Sequence, residues 1–142
     1  MNQELVLLGA GPELAIEALK WTELACARAG VAPSRAQSVA NAVVEAVNNS
    51  IEHGYRMQPG SIAVSVDGYA DRIEVAVSDS GTGLPSAPAL RCPDPSAERG
   101  RGSWIMRQSC DAVRHEFPAG TQRVVLVLRR HTRSQTSPGD AP

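Results

Sequence analysis

Between residues 36 and 77 the apolar repeat changes once, and that change limits the fold more than anything else in the chain. Ala36, Ala40, Val43, Val47 and Ile51 recur at helical spacing. After Gln58-Pro59-Gly60, Ile62, Val64 and Val66 alternate with Ser61, Ala63, Ser65 and Asp67. A turn at Asp67-Gly68-Tyr69-Ala70-Asp71 follows, and Ile73, Val75 and Val77 resume the alternation. A long amphipathic helix and a hairpin, each with one apolar face, bury both faces by laying helix on sheet.

The flanking segments extend this pattern. Residues 4 to 8 read as a strand, which Gly9-Ala10-Gly11-Pro12 ends; Leu14 stands where a third glycine of a dinucleotide fingerprint would be, so this is a turn. A second helix runs from there to Ala29, with Gly30 as its stop. Pro33-Ser34-Arg35-Ala36-Gln37 predicts the start of the long helix, with Ser34 as N-cap, Gln37 completing a capping box, and the helix ending near His53-Gly54. Residues 84 to 99 hold Pro85, Pro88, Pro93 and Pro95 and no apolar period, the composition of a functional loop such as a lid. Met106, Cys110 and Val113 then recur at helical spacing, predicting a helix that opens at or after Gly100-Arg101-Gly102. A last turn at Pro118-Ala119-Gly120-Thr121 leads into a buried strand over Val124 to Leu128, and a polar tail begins at His131. The expectation is one domain over residues 1–130, with a lid at about 84–102 and a disordered tail over 131–142.

Only 4% of the residues are aromatic against 42% hydrophobic, so the core must be built from Val, Leu, Ile and Ala. A net charge of −1 argues against a general electrostatic mode of nucleic-acid or membrane binding. Cys26, Cys92 and Cys110 form no C-x-x-C pair, and no leader or apolar run of membrane-spanning length is present. The chain therefore reads as a reduced, cytoplasmic protein.

The polar face of the long helix is chemically selective. Asn41, Glu45, Asn48, Asn49 and Glu52 share it, with no basic residue between Asn41 and Glu52. Solvated helix faces usually mix Lys and Arg with Glu. Here two carboxylates and three amides offer oxygen ligands instead, and Glu45 and Asn49 stand one turn apart. A merely polar surface is the plainer reading of this helix alone. Asp79 ends an apolar strand and is followed by Gly81 and Gly83. That is a turn if read by itself, and also a position where open sheets bind ligands. Gly100-Arg101-Gly102 before a helix leaves backbone N–H groups approachable beside a fixed positive charge, a basis for holding phosphate.

In this order the motifs are recognisable. Glu-x-x-x-Asn-x-x-x-His-Gly on a helix, Asp-x-Gly-x-Gly after a strand, Gly-Arg-Gly opening a helix and Gly-Thr before the last strand resemble the ATP-binding domain of histidine kinases, gyrase B, MutL and the heat-shock chaperones. Glu45-Ala46-Val47-Asn48-Asn49 followed by His53-Gly54-Tyr55 is most similar to the anti-sigma-factor serine/threonine kinases of bacterial partner-switching systems. The resemblance covers about residues 4 to 130. It implies a two-layer α/β sandwich, with a mixed, mostly antiparallel sheet covered on one face by three helices.

It also implies roles, residue by residue. Glu45 matches the general base that takes a proton from a protein serine, and Asn49 the ligand of Mg²⁺. Asp79 matches the acceptor of the adenine amino group, with Gly81, Gly83 and Leu84 beside the base. Gly100, Arg101, Gly102 and Ser103 match the junction over the phosphates of ATP. Thr121 matches a threonine of the adenine pocket. Arg99 and Arg101 are both placed to serve the γ-phosphate. The implied partners are a STAS-type anti-sigma-factor antagonist, phosphorylated on Ser or Thr, and a sigma factor; a homodimer is implied as well. Ser103 and Trp104 depart from the family, where a bulky apolar residue and a smaller one are usual, and the lid is shorter. These departures motivate one rival, a kinase-inactive ATP-binding anti-sigma module; a switch kinase that binds no sigma factor and a plain ATPase module are the others. Glu52 reads as a surface residue and His53 as a helix-end residue. His53 follows the ATP motif rather than preceding it on a dimerisation hairpin, so a two-component histidine kinase fits poorly.

Overall fold

The computed structural model describes residues 2–9, 11–54, 60–79, 105–117 and 121–130, with the side chains of residues 53 and 54 excepted. The elements are β1 (Asn2–Gly9), α1 (Glu13–Arg28), α2 (Pro33–Asn49), a π-helical turn (Ser50–Gly54), β2 (Gly60–Gly68), β3 (Arg72–Asp79), β4 (Ala112–Glu116) and β5 (Gln122–Arg129). Residues 105–109 are also helical. One sheet holds the strands in the order β1-β2-β3-β5-β4. Every neighbouring pair is antiparallel, so the expected mixed sheet is antiparallel throughout the described residues. The reason for the first pair is the connection: two antiparallel helices between β1 and β2 return the chain to the end it left, whereas one crossover helix would make the strands parallel.

The helices cover one face. Leu14, Ala18, Ala25 and Cys26 of α1 and Val39, Val43, Ala46 and Val47 of α2 pack on Ile62, Val64 and Val66 of β2, Ile73, Val75 and Val77 of β3, and Leu126 and Leu128 of β5. Met106 joins the same core. The apolar stripe read from Ala36, Ala40, Val43, Val47 and Ile51 is buried along its whole length. Cys26 serves as a small apolar residue, and burial pushes its thiol up to about 11. Cys26 and Cys110 are both free thiols, and Cys92 lies outside the described residues.

The opposite face carries a smaller apolar patch of Ala76, Val125 and Val127, with Ala112 against it. Ion pairs wall it in: Glu74 with Arg114 at 3.2 Å and with Arg72 at 2.7 Å, and Glu116 with Arg114 at 3.1 Å. The Arg114 hydrogen bond, aided by Arg72 and opposed by burial, holds the Glu74 carboxyl below its usual range.

Gly30 ends α1 as expected, at φ +93°, a left-handed conformation that favours glycine. The amide of Val31 donates to the Cys26 carbonyl and that of Gly30 to the Ala27 carbonyl, which together make a Schellman turn. Two other expectations fail. Ser34 is not the N-cap of α2: Ala32 is, with no side-chain cap, because Pro33 takes the first helical position with its φ already fixed. Nor does the helix over Met106 reach Val113. It gives way to β4, because β5 lies inside the sheet and its second row of backbone groups needs a partner strand.

At the end where β3 begins and β5 finishes, arginines clamp distant segments together. Arg35 of α2 pairs with Asp111 and donates to the Arg129 carbonyl at 2.9 Å. Arg130 donates to the carbonyls of Tyr69 at 2.7 Å and Ala29 at 3.3 Å. Burial acts to raise the Asp111 carboxyl, but the Arg129 amide and the Arg35 guanidinium outweigh it and hold that group below its ordinary value. A cavity of about 280 Å³ lies here, lined by Val31, Arg35, Leu128 and Arg129 among others.

Candidate functional site

At the other end, about 23 Å away by the rise of β3, α2 and β3 finish together. Asp79 continues the row of Ile73, Val75 and Val77, so its carboxylate turns toward the helices rather than outward. It is 6% exposed. A carboxylate buried this far must be hydrogen-bonded. Ser50, 8% exposed, provides one bond: its Oγ–H donates to Asp79 Oδ2 at 2.6 Å. Register sets Asp79 beside Ile62 of β2 and Gln122 of β5.

The helix side of this junction is unusual. α2 stops at Asn49 and the chain widens into the π-helical turn Ser50–Gly54 in place of the regular helix end expected there. Such turns are rare and often occur at functional sites. Glu45 and Asn49 are half-buried, one turn apart on α2, and Asn49 directly precedes the serine that holds Asp79. Asn48 is half-buried too, whereas Asn41 and Glu52 are exposed. The polar face read from sequence is thus divided: its outer members meet solvent, and Glu45, Asn48 and Asn49 lie partly covered.

The described residues therefore bring Glu45, Asn49 and Asp79 to one end of the sandwich. Thr121 is half-buried and directly precedes β5, one residue from Gln122, the cross-strand neighbour of Asp79. Gly81, Gly83, Leu84, Gly100, Arg101, Gly102 and Ser103 lie outside the described residues, as do Arg99, Trp104 and the lid and tail.

Two residues at this junction escaped the sequence reading. Ser50 falls two turns after Val43 on the apolar stripe, and a hydroxyl there must find a buried partner; that was its signal. Gln122 is reached by extending the alternation of Val124, Leu126 and Leu128 back by two residues.

Asn49 offers one hard amide oxygen, half-buried at the end of α2, which is chemically a fit for Mg²⁺. Mg²⁺ is usually bound in this way, with one or two protein ligands, phosphate oxygens and water.

Comparison with known proteins agrees with the geometry. The model of the histidine kinase-like ATPase domain matches residues 8–129. The anti-sigma F factor of Geobacillus stearothermophilus is 33% identical over 100 residues, covering 66% of this chain and 68% of that protein. The serine-protein kinase RsbW of Listeria innocua is 39% identical over 56 residues, covering 39% of this chain and 36% of that protein. A crystal structure of RsbU and RsbW domains from Mycobacterium tuberculosis shares the fold, with a TM-score of 0.59, 20% identity and 89% of this chain covered. The present chain spans 32% of the length of that one.

Proposed function

The chain belongs to the histidine kinase-like ATPase domain family, and on that premise we propose that it is an anti-sigma factor and ATP-dependent serine/threonine kinase of the partner-switching type. Its protein substrate is a STAS-type antagonist, and it sequesters a sigma factor while that antagonist is phosphorylated. What carries the reading is one junction: the half-buried Glu45 and Asn49 of α2 run into Ser50, which is bonded to the buried Asp79 of β3.

Asp79 accepts a hydrogen bond from the adenine amino group, with Gly81, Gly83, Leu84 and Thr121 around the base. Asn49 holds Mg²⁺, which when bound offsets the charge of the phosphates. Gly100, Arg101, Gly102 and Ser103 close over those phosphates as the lid-to-helix junction. Glu45 takes the proton of the attacking serine hydroxyl, a contribution of roughly 10²–10⁴-fold to the rate. Phosphoryl transfer depends mainly on positioning and charge stabilisation, so these groups suffice. Phosphate added to the antagonist at a surface shared with sigma weakens its binding by repulsion and desolvation cost, and this makes the switch.

The protein acts in the cytoplasm as a homodimer. Among the described strands β1 lies at the edge, with Val6 54% and Leu8 74% exposed, an apolar edge of the kind that pairs with another copy. A monomer mass in sedimentation at micromolar concentration would remove the dimer from this reading. The function is tested by incubating the protein with γ-labelled ATP, Mg²⁺ and an antagonist-like protein. Label should move to a serine or threonine, and Glu45→Ala should abolish the transfer while retaining ATP. ATP bound without transfer by the native protein would sink the kinase assignment, and failure to retain a sigma factor in pull-down would sink the anti-sigma assignment.

A further inference from the structure

We infer that Ser50 is a positioning residue for nucleotide selection: by fixing the Asp79 carboxylate, it makes the site choose a 6-amino purine over a 6-oxo purine. This rests on the reading of Asp79 as the adenine acceptor.

The argument begins with burial. Ser50 and Asp79 are both more than nine-tenths buried, and their oxygens are 2.6 Å apart, within the range of a hydroxyl donating to an ionised carboxylate. The two residues belong to different layers, 29 positions apart in sequence, so the bond ties the π-helical turn to the end of β3. A carboxylate on a strand end can rotate about its terminal torsion, which is broad rather than staggered. A donor anchored to Oδ2 narrows that rotation and so sets where the lone pairs point.

The bond also sets polarity. Because the hydroxyl donates its hydrogen bond to Oδ2, Asp79 meets it as an acceptor. An acceptor suits the N–H of a 6-amino group and repels the oxygen of a 6-oxo group. Without Ser50, the carboxylate can turn away from the position that meets a 6-amino group. A 6-oxo nucleotide gains nothing from that position and so loses nothing with it, and discrimination falls. Sites built to hydrogen-bond one substrate group reject its analogue strongly.

The test is equilibrium binding of ATP and of inosine triphosphate, which differs at position 6, by the protein and its variants. The native protein should prefer ATP. Ser50→Ala should weaken ATP binding about tenfold and leave inosine triphosphate unchanged, so that the ratio approaches one. Ser50→Thr, which keeps the hydroxyl, should restore the ratio, and Ser50→Cys, a weaker donor of similar volume, should fall between. Asp79→Asn should abolish the preference, and Ser50→Ala added to it should change nothing further. An equal loss for both nucleotides in Ser50→Ala would mean a merely structural residue and overturn the inference. So would a ratio unchanged in both Ser50→Ala and Ser50→Cys but lost in Asp79→Asn, although that outcome leaves the adenine reading standing. An unchanged ratio in Asp79→Asn, or no native preference, would overturn both.

Discussion

The two ends of the sandwich are held by different chemistry. At one, Arg35 and Arg130 reach across the layers to Asp111 and to the carbonyls of Ala29, Tyr69 and Arg129. Charges of both signs meet there, and backbone carbonyls of two loops and of the end of β5 are satisfied. At the other, Asp79 is held by the neutral hydroxyl of Ser50, beside a helix face whose partly covered members are Glu45, Asn48 and Asn49. The bond from Ser50 is between a neutral hydroxyl and a carboxylate, where the bonds from Arg35 carry a full charge. The clamped end therefore contributes mainly to keeping the layers together, and on the proposed function the other end orients polar groups for a nucleotide.

Substitutions at each end should separate these roles. The largest effect belongs to Glu45→Ala, which should lower phosphoryl transfer by about 10²–10⁴-fold with an unchanged melting temperature. A melting temperature that fell along with activity would collapse the contrast between the ends. Arg35→Ala should have the reverse signature, a loss of about 1–2 kcal/mol in denaturant unfolding, limited by the partial exposure of the pair, with native ATP affinity. Altered nucleotide binding in that variant would mean that the two ends communicate.

Thr22 supplies a control between them. Its hydroxyl is buried in the core without a hydrogen-bond partner, so Thr22→Val should raise stability by about 1 kcal/mol and alter neither end. The smallest effect is in acid. The carboxyls of Asp111 and Glu74 titrate below their ordinary values of 3.8 and 4.5. Their contributions are complete above those values and drain away as the pH falls through the lower folded ones. Arg35→Ala removes part of what depresses Asp111, so its stability should decline less steeply with acid than the native protein's. Parallel acid titrations of the two would show that Asp111 is held down by other groups.

Local periodicity made much of this molecule legible. The stripe from Ala36 to Ile51, the β2–β3 hairpin and the glycine stop at Gly30 each follow from neighbours within two turns or one strand, and each is found as expected. β4 was not legible, because Met106, Cys110 and Val113 satisfy helical spacing equally well. What decides in favour of a strand is the need of β5 for a second partner, a demand from elsewhere in the sheet. The cap of α2 was misassigned for a local reason, since Pro33 outcompetes Ser34 for the start. Motif order singled out Glu45, Asn49 and Asp79, which the fold brings to one end of the sandwich. The bond between Ser50 and Asp79 could not be read from it, because it joins residues from two layers that only folding brings together.

The strand order has a consequence for synthesis. β5, the last of the described strands to be made, lies between β3 and β4, and Gln122 within it neighbours Asp79. At ordinary translation speeds the fifty residues from Asp79 to Arg129 take roughly 3 to 10 seconds to emerge. Throughout that interval β3 lacks β5 along one edge, and Asp79 lacks its neighbour Gln122. A nascent chain therefore cannot complete the junction around Asp79 before β5 has arrived, and a chain ending before Gln122 would lack that wall.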